Sequence, residues 1–500
     1  MRILLKGFIC DGSSAPSRRT LLIENSRIIA LEKDIYGASA ADKCYSFKDE
    51  IIAPGFIDAH GHSDISLLAA PEASSKRGQG FTGEVSGNCG LSPFPLTPAN
   101  ISHIKELYAA YGIDISWHDI KGYMQTLAEK KVQLRLHPLC GHNTLRAAVA
   151  GYEKENLSAA ELKEMLKLLD FSLRDGACGL SSGLLYVPGC FAPESEIVEL
   201  MRVVAAHDKV FATHLRSEGD KLLESLSEIL ECAAAANLKR VQISHFKTAR
   251  AENWHKLDAA LEMISAYRRC GMDVRVDRYP YIESQTMLSV ILPPPFDKMG
   301  DREITIALAD ETTRKLAAEK LKAKMTPSDW ARLRLTGAKS PAHRQFTGRF
   351  FSQLPGDPAE LCLEILADDA TCATVSAAGM SEKNMHRILM QHYCMAGSDG
   401  NALNPDNLFG NTHPRSFGTA AKFIRILLDS GISIENAVAR VTTLPAEFFR
   451  LPAVGRIAPG NFADVTVFAP ETIDSRAGFL SPAQPADGII MTMSAGNIIC

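Results

Sequence analysis

Six side chains of metal-binding type stand where the chain would run out of a β-strand. Pro54-Gly-Phe-Ile-Asp-Ala-His60-Gly-His62-Ser-Asp64 closes one β-like run. Side chains two apart on extended chain share a face, so His60 and His62 can approach one ion from the same side. Cys89 ends Val85-Ser-Gly-Asn-Cys-Gly, His214 ends Val210-Phe-Ala-Thr-His, and His245 ends Val241-Gln-Ile-Ser-His. Parity puts Val85 and Gly87 on the face of Cys89, Val210 and Ala212 on that of His214, and Val241 and Ile243 on that of His245. Apolar or small residues beneath a polar tip suit a packed barrel interior. Asp399, in Met395-Ala-Gly-Ser-Asp-Gly, completes the set. Taken singly, each is more often a satisfied core residue, and Asp399 an ordinary Asp-Gly turn. Several strand ends aimed at one mouth are harder to dismiss. One thiolate with imidazoles favours zinc over magnesium or calcium. It leaves room for a second, weaker ion between His60, His62 and Asp399, with Cys89 bridging. His103, His118, His255 and His386 sit in helical or loop contexts and read as surface or core residues.

The elements that must position these groups alternate. Eight β-like runs can be counted: Ile52–Asp58, Gly83–Asn88, Val132–Leu139, Ala177–Ser181, Lys209–Thr213, Arg240–Ser244, Asp273–Asp277 and Tyr393–Ser398. Helical patterns such as Ser158–Leu173 and Gly219–Ala236 lie between most of them. The alternation predicts an α/β chain built as a (β/α)8 TIM-like barrel, where catalytic groups sit at the C-terminal face. Both ends of the chain are rich in short strands instead. They predict a small β-sandwich domain made from residues 1–52 and 447–500, flanking a catalytic barrel over 53–446. More than a hundred residues separate the seventh run from the eighth, against about 30 for an ordinary βα unit. Residues of about 287–343, opening with Pro293-Pro-Pro295, read as an inserted lid.

Composition narrows the function classes. The 500 residues carry 54 Lys+Arg against 58 Asp+Glu, a formal charge of −4 that argues against nucleic acid as the partner. No apolar run approaches the roughly 20 residues a membrane span needs, and the N-terminus has no signal-peptide pattern. The 12 cysteines are scattered without a C-x-x-C pair, which predicts reduced thiols in a cytoplasmic protein.

The chain resembles the amidohydrolase superfamily and, within it, the N-acyl-D-amino-acid deacylases (D-aminoacylases). The likeness covers nearly the whole chain. It rests on Ala53-Pro-Gly-Phe-Ile-Asp-Ala-His-Gly-His-Ser-Asp, Gly87-Asn-Cys-Gly, Gly179-Leu-Ser-Ser-Gly-Leu-Leu-Tyr-Val-Pro-Gly, Thr213-His-Leu-Arg-Ser-Glu, Ile243-Ser-His-Phe-Lys, Asp277-Arg-Tyr-Pro-Tyr, Gly397-Ser-Asp-Gly and His413-Pro-Arg-Ser-Phe-Gly-Thr. The resemblance implies a tight zinc on Cys89, His214 and His245, with His60, His62 and Asp399 forming a weaker second site. It implies that Arg415 grips the α-carboxylate of an N-acyl-D-amino acid, with Lys247 nearby and Tyr186 and Tyr279 lining the site. Asp399 is the expected general base. A guanidinium fork does suit a carboxylate.

Related hydantoinases bridge two metals with a carboxylated lysine on the fourth strand. Gly176-Ala-Cys-Gly-Leu-Ser-Ser-Gly has no lysine, so Cys89 must supply the bridging anion. The family serine four places after the second tyrosine of Tyr-Pro-Tyr is replaced by Gln285, with Ser284 one place early. That bears on substrate preference and not on metal. Two rivals stand beside this reading: a cyclic amidohydrolase or dipeptidase on the same barrel, and a non-catalytic metal-binding homologue. The preferred side chain, the acyl group and the oligomeric state are left open.

Overall fold

The computed structural model describes residues 1–33, 41–406 and 412–499. Eight parallel strands close into a barrel in sequence order. They are Phe56–Asp58, Phe81–Ser86, Arg135–Pro138 (continued past Leu139 by Cys140–Gly141), Gly179–Gly183, Val210–His214, Arg240–Ile243, Asp273–Arg278 and Cys394–Ala396. Regular ladders join most neighbours. The break at Leu139 is spanned by its N–H donating to Ser86 O at 2.8 Å. The closing seam is thinner. Strands one and eight meet through an isolated Gly61–Gly400 bridge and three main-chain bonds, Ala59 N–H to Ala396 O at 3.0 Å, Asp399 N–H to His60 O at 2.7 Å and His62 N–H to Gly400 O at 3.0 Å.

Ile57, Ala59, Val85, Leu139, Val210, Ala212 and Met395 fill the barrel interior, as inward-facing alternation requires. The larger core lies between strands and surrounding helices, with Ile197, Leu200, Leu226, Ile264 and Phe423 among its members. These helices carry their own start signals; Ser158 and Glu161 form a capping box at Ala159–Arg174.

Both termini share one seven-stranded sheet. Its order runs Asn497–Ile498, Ile489–Ser494, Val465–Phe468, Lys43–Pro54, Arg2–Ile9, Ser17–Glu24, Arg27–Glu32. The strand Lys43–Pro54 leads through Gly55 directly into the first barrel strand, so this sheet anchors the chain just before His60. Between strands seven and eight lies a three-stranded antiparallel sheet, Glu283–Met287, Thr374–Ala378 and Leu333–Gly337, with helices including Glu311–Lys324 and Pro358–Asp369. Its separate core runs from Leu288 to Val375, well past 343. Among the described residues, no helix is long and apolar enough to cross a membrane and none of the cysteines is paired.

Candidate metal centre

The chain leaves each barrel strand at the same mouth, and the predicted ligands meet there. Cys89 Sγ lies 3.5 Å from His60 Nε2 and 3.4 Å from His245 Nε2. His62 Nε2 is 3.1 Å from Asp399 Oδ1, and His60 Nε2 is 3.6 Å from the same oxygen. One ligand atom from each of His60, Cys89, His245 and Asp399 falls within 4.8 Å of the others, and His214, Glu218 and His245 form a second such group. All are buried except His62 and Glu218, which are partly so.

How they arrive differs from the sequence expectation in one respect. Val210 and Ala212 do face inward below His214, and Val85 lies below Cys89. Val241 and Ile243 do not share a face with His245; they pack outward among the helices. The inward residue of that strand is Gln242, which donates to Asp277 Oδ2 at 2.5 Å and to Ala59 O at 3.2 Å. The strand stops at Ile243, and a left-handed turn at His245 (φ 35°) swings the imidazole over the mouth. Cys89 and Asp399 adopt the same unusual region, at φ 52° and 51°. Such a conformation costs non-glycine residues on the order of 1–3 kcal/mol each, and three of these ligands carry it. Glycine serves a different need at Gly61, where a Cβ would sit 2.1 Å from Glu84 Cδ.

Carboxylates behind the ligands orient them. Asp277 accepts from His245 N–H at 2.9 Å and lies 3.3 Å from His60 Nδ1. Glu218 lies 2.8 Å from His245 Nδ1 and 2.5 Å from Lys247 Nζ. Fixing the far nitrogen of an imidazole fixes which nitrogen is offered to a metal. Sequence reasoning did not single out Asp277, Glu218 or the buried Lys76. Asp277 was within reach, because it ends a barrel strand just as Asp399 does. On the fourth strand, where lysine is missing, the Ser181 hydroxyl donates to Gly87 O and accepts from Gly90 N–H, holding the loop that presents Cys89.

Burial opposes charge on all these groups, and their neighbours override it. His60 and His245 hold the Cys89 thiol well below its ordinary value. Arg415, then His245 and His62, do the same for the Asp399 carboxyl, and Lys247 and His245 for Glu218. In return Asp277 and Cys89 lift His60 well above the usual imidazole range. Asp399 and Cys89 carry His62 to about 9, and Glu218 and Cys89, against Lys247, carry His245 to about 10. Three anions thus crowd one buried mouth, offset by the imidazoles together with Arg415 and Lys247. A divalent cation would balance them through the same lone pairs. Both ring nitrogens of His214 are buried without a hydrogen-bond partner, which is costly unless they have a ligand. Thiolate plus imidazoles is a zinc-type donor set, so these residues fit a metal.

The expected substrate residues rim the same mouth. Arg415 Nη1 donates to Asp399 Oδ2 at 2.6 Å, and its guanidinium lies 5.0 Å from the Tyr279 ring centroid. The Tyr279 hydroxyl and Arg415 Nε are buried without partners. Burial pushes the Tyr279 phenol up, but Lys247, Arg278 and Arg415 together hold it below its ordinary value. Lys247 is buried and not a surface lysine. Tyr186 stands edge-on to His214, with 4.9 Å between ring centroids, and its hydroxyl is 3.1 Å from Thr286 Oγ1 on the inserted sheet. Gln285 turns away and donates to Thr336 Oγ1 at 3.3 Å.

Known proteins share this architecture and sequence. No family model matches the chain. It is 32% identical to an N-acyl-D-glutamate deacylase of Alcaligenes xylosoxydans xylosoxydans, over 97% of this chain and 90% of that one. Identity is 30% to an N-acyl-D-aspartate deacylase and to a D-aminoacylase of the same organism, each over 97% of this chain and covering 89% and 92% of the relatives. Among solved structures, the N-acyl-D-glutamate deacylase of Bordetella bronchiseptica, complexed with zinc and a phosphonate mimic of the tetrahedral intermediate, superposes with a TM-score of 0.84 at 28% identity, covering 99% of this chain and 96% of that one. A D-aminoacylase described as defining a novel subset of amidohydrolases gives 0.81 at 28%, with the same coverage.

Proposed function

The chain belongs to the N-acyl-D-amino-acid deacylases of the amidohydrolase superfamily, and from that premise we propose how its residues divide the work. It is a metal-dependent hydrolase that cleaves the amide bond of N-acyl-D-amino acids, giving a carboxylate and a free D-amino acid. We assign the metal as zinc, held tightly by Cys89, His214 and His245. His60, His62 and Asp399 form the weaker site, with Cys89 shared. The position of Cys89 Sγ, nearly equidistant from His60 and His245, supports a shared thiolate; the unpartnered ring nitrogens of His214 support its place as a ligand. When bound, the metal supplies Lewis acidity that polarises an amide carbonyl and makes water nucleophilic at neutral pH.

The protein residues do the rest. Arg415 and Lys247 bind the α-carboxylate and so fix where the scissile amide lies relative to Asp399. Asp399 takes the proton of the attacking water on a carboxylate oxygen and returns it to the leaving nitrogen. Tyr186 and Tyr279 line the site. The inserted sheet acts as a lid, with Thr286 on Tyr186 as its contact with the mouth. Eleven described cysteines are free thiols, which supports a reducing cytoplasm as the setting.

Hydrolysis of N-acetyl-D- and N-acetyl-L-amino-acid panels, with metal content measured in parallel, tests the reading. Turnover confined to the D series, tracking one equivalent of zinc, is expected. Turnover of hydantoins or dipeptides in preference to N-acyl-D-amino acids would overturn it.

A further inference from the structure

Lys76 is completely buried, in the short helix Ser74–Arg77 between the first two barrel strands. Its ammonium lies 2.6 Å from Asp58 Oδ2, 2.9 Å from Glu84 Oε2, 2.8 Å from Ser398 Oγ and 3.0 Å from Gly400 O. Each of these partners reaches the metal cluster within one or two residues. Asp58 accepts from His60 N–H at 3.1 Å, from Ser398 N–H at 2.8 Å and from the Ser398 hydroxyl at 2.5 Å. Glu84 accepts from Ser63 N–H at 2.9 Å and from its hydroxyl at 2.7 Å, directly after His62. Ser398 and Gly400 flank Asp399.

This is the seam where the barrel closes with one bridge and a few main-chain hydrogen bonds in place of a ladder. Replacing such a buried ion cluster by apolar residues is often neutral or stabilising, because burying an ammonium and two carboxylates is expensive. Stability therefore does not explain Lys76. Its position does: alongside the direct Asp58–Ser398 bonds, its ammonium links Asp58, just before His60, to Ser398 and Gly400 on either side of Asp399. We propose that Lys76 is a positioning residue for the deacylase reaction. It sets the spacing between the histidine pair and Asp399, and thereby both the occupancy of the weaker metal site and proton transfer by Asp399, without touching substrate. The proposal rests on the division of ligands given above.

The test compares wild type, Lys76→Met, Lys76→Met with Asp58→Asn, and Ser398→Ala. The double variant removes one charge of each sign and keeps the buried charge balance, but it lacks the tie. Metal-free protein is titrated with Co(II). The thiolate-to-cobalt absorption band reports the Cys89 site, and a later, weaker phase reports the histidine-pair site. Thermal unfolding, kcat and KM are measured alongside. The double variant should fold and keep the thiolate band, while its weaker phase and kcat fall on the order of 10–100-fold and KM stays within about twofold. Ser398→Ala, a single hydroxyl lost, should show the same pattern more weakly. Recovery of wild-type kcat and a wild-type second phase in the double variant would overturn the proposal, since Lys76 would then only balance charge. Should Lys76→Met and the double variant both fail to fold, wild-type behaviour in Ser398→Ala overturns it equally. If wild type shows no thiolate band at all, the metal assignment itself is wrong and the proposal falls with it, an outcome distinct from the other two.

Discussion

The floor and the wall of the active-site mouth are built differently. On the floor, His60, Cys89, His214, His245 and Asp399 come from the ends of barrel strands. Asp277 and Glu218 brace two of the imidazoles from behind. The wall comes from connections: Arg415 at the start of the helix Arg415–Asp429, Tyr279 just past the seventh strand, and Tyr186 leaning on the inserted sheet. Its buried donors, Tyr279 Oη and Arg415 Nε, have no protein partners. In the reading proposed here, metal chemistry is set at strand ends and recognition in the connections. Changes to the floor should strike metal content and kcat; changes to the wall should strike KM and substrate preference.

The largest effect is expected from Cys89→Ala. Among the described residues no other thiol stands at the mouth, and the fourth strand has no lysine, so the tight metal should be lost. Activity should fall on the order of 10⁴-fold or more, since the metal's charge stabilisation is worth several kcal/mol. Elemental analysis decides; a full metal complement with normal turnover breaks the assignment. Asp399→Asn keeps the shape but cannot hold a proton at neutral pH. Zinc should stay and kcat should drop about 10²–10⁴-fold, with KM little changed. Loss of the tight metal would instead make Asp399 a primary ligand.

Arg415→Met tests the wall. Removing one partner of a buried charge-assisted pair costs about 2–5 kcal/mol. Arg415 also holds Asp399, so two losses are expected. One is shared by N-acyl-D-amino acids and their α-amides, and it measures the grip on Asp399. The excess seen only with the free acids measures carboxylate binding. An equal fall for both would leave Arg415 structural. Back on the floor, Glu218→Gln should weaken metal affinity about 10–100-fold, read by chelator competition, because an amide orients His245 without its charge.

The floor was legible because strand ends of a barrel announce themselves. Hydrophobic alternation located His214 and Cys89, and Asp399 followed from position. Alternation misled at Val241 and Ile243, since a positive φ at His245 leaves no trace in residue type. Lys76 was invisible for another reason. Its partners Ser398 and Gly400 lie 322 and 324 residues away, and only barrel closure brings them to it. The inserted unit showed itself through its length, but not its extent, because its last strand, Thr374–Ala378, pairs across the sheet with both others.

The smallest effect expected is the most diagnostic of the lid. Thr286 belongs to the inserted strand Glu283–Met287, and its hydroxyl is 3.1 Å from that of Tyr186. Tyr186 in turn stands edge-on to His214. This is a direct side-chain link from the insert to His214, a proposed ligand of the metal centre. Thr286→Val keeps volume and β-branching, so the strand should be undisturbed. A neutral hydrogen bond contributes about 0.5–1.5 kcal/mol net, which corresponds to roughly a 2–12-fold change. If the link positions Tyr186 for substrate, kcat/KM should fall by that amount, with metal content unchanged. Tyr186→Phe should give a similar loss, and the double variant should lose little more, because both single changes remove the same contact. Additive losses would show that Tyr186 acts on substrate independently of the insert. No loss in Thr286→Val would mean that the insert covers the mouth without ordering it, and the distinction between a floor of strand ends and a wall of connections would then stop at Arg415.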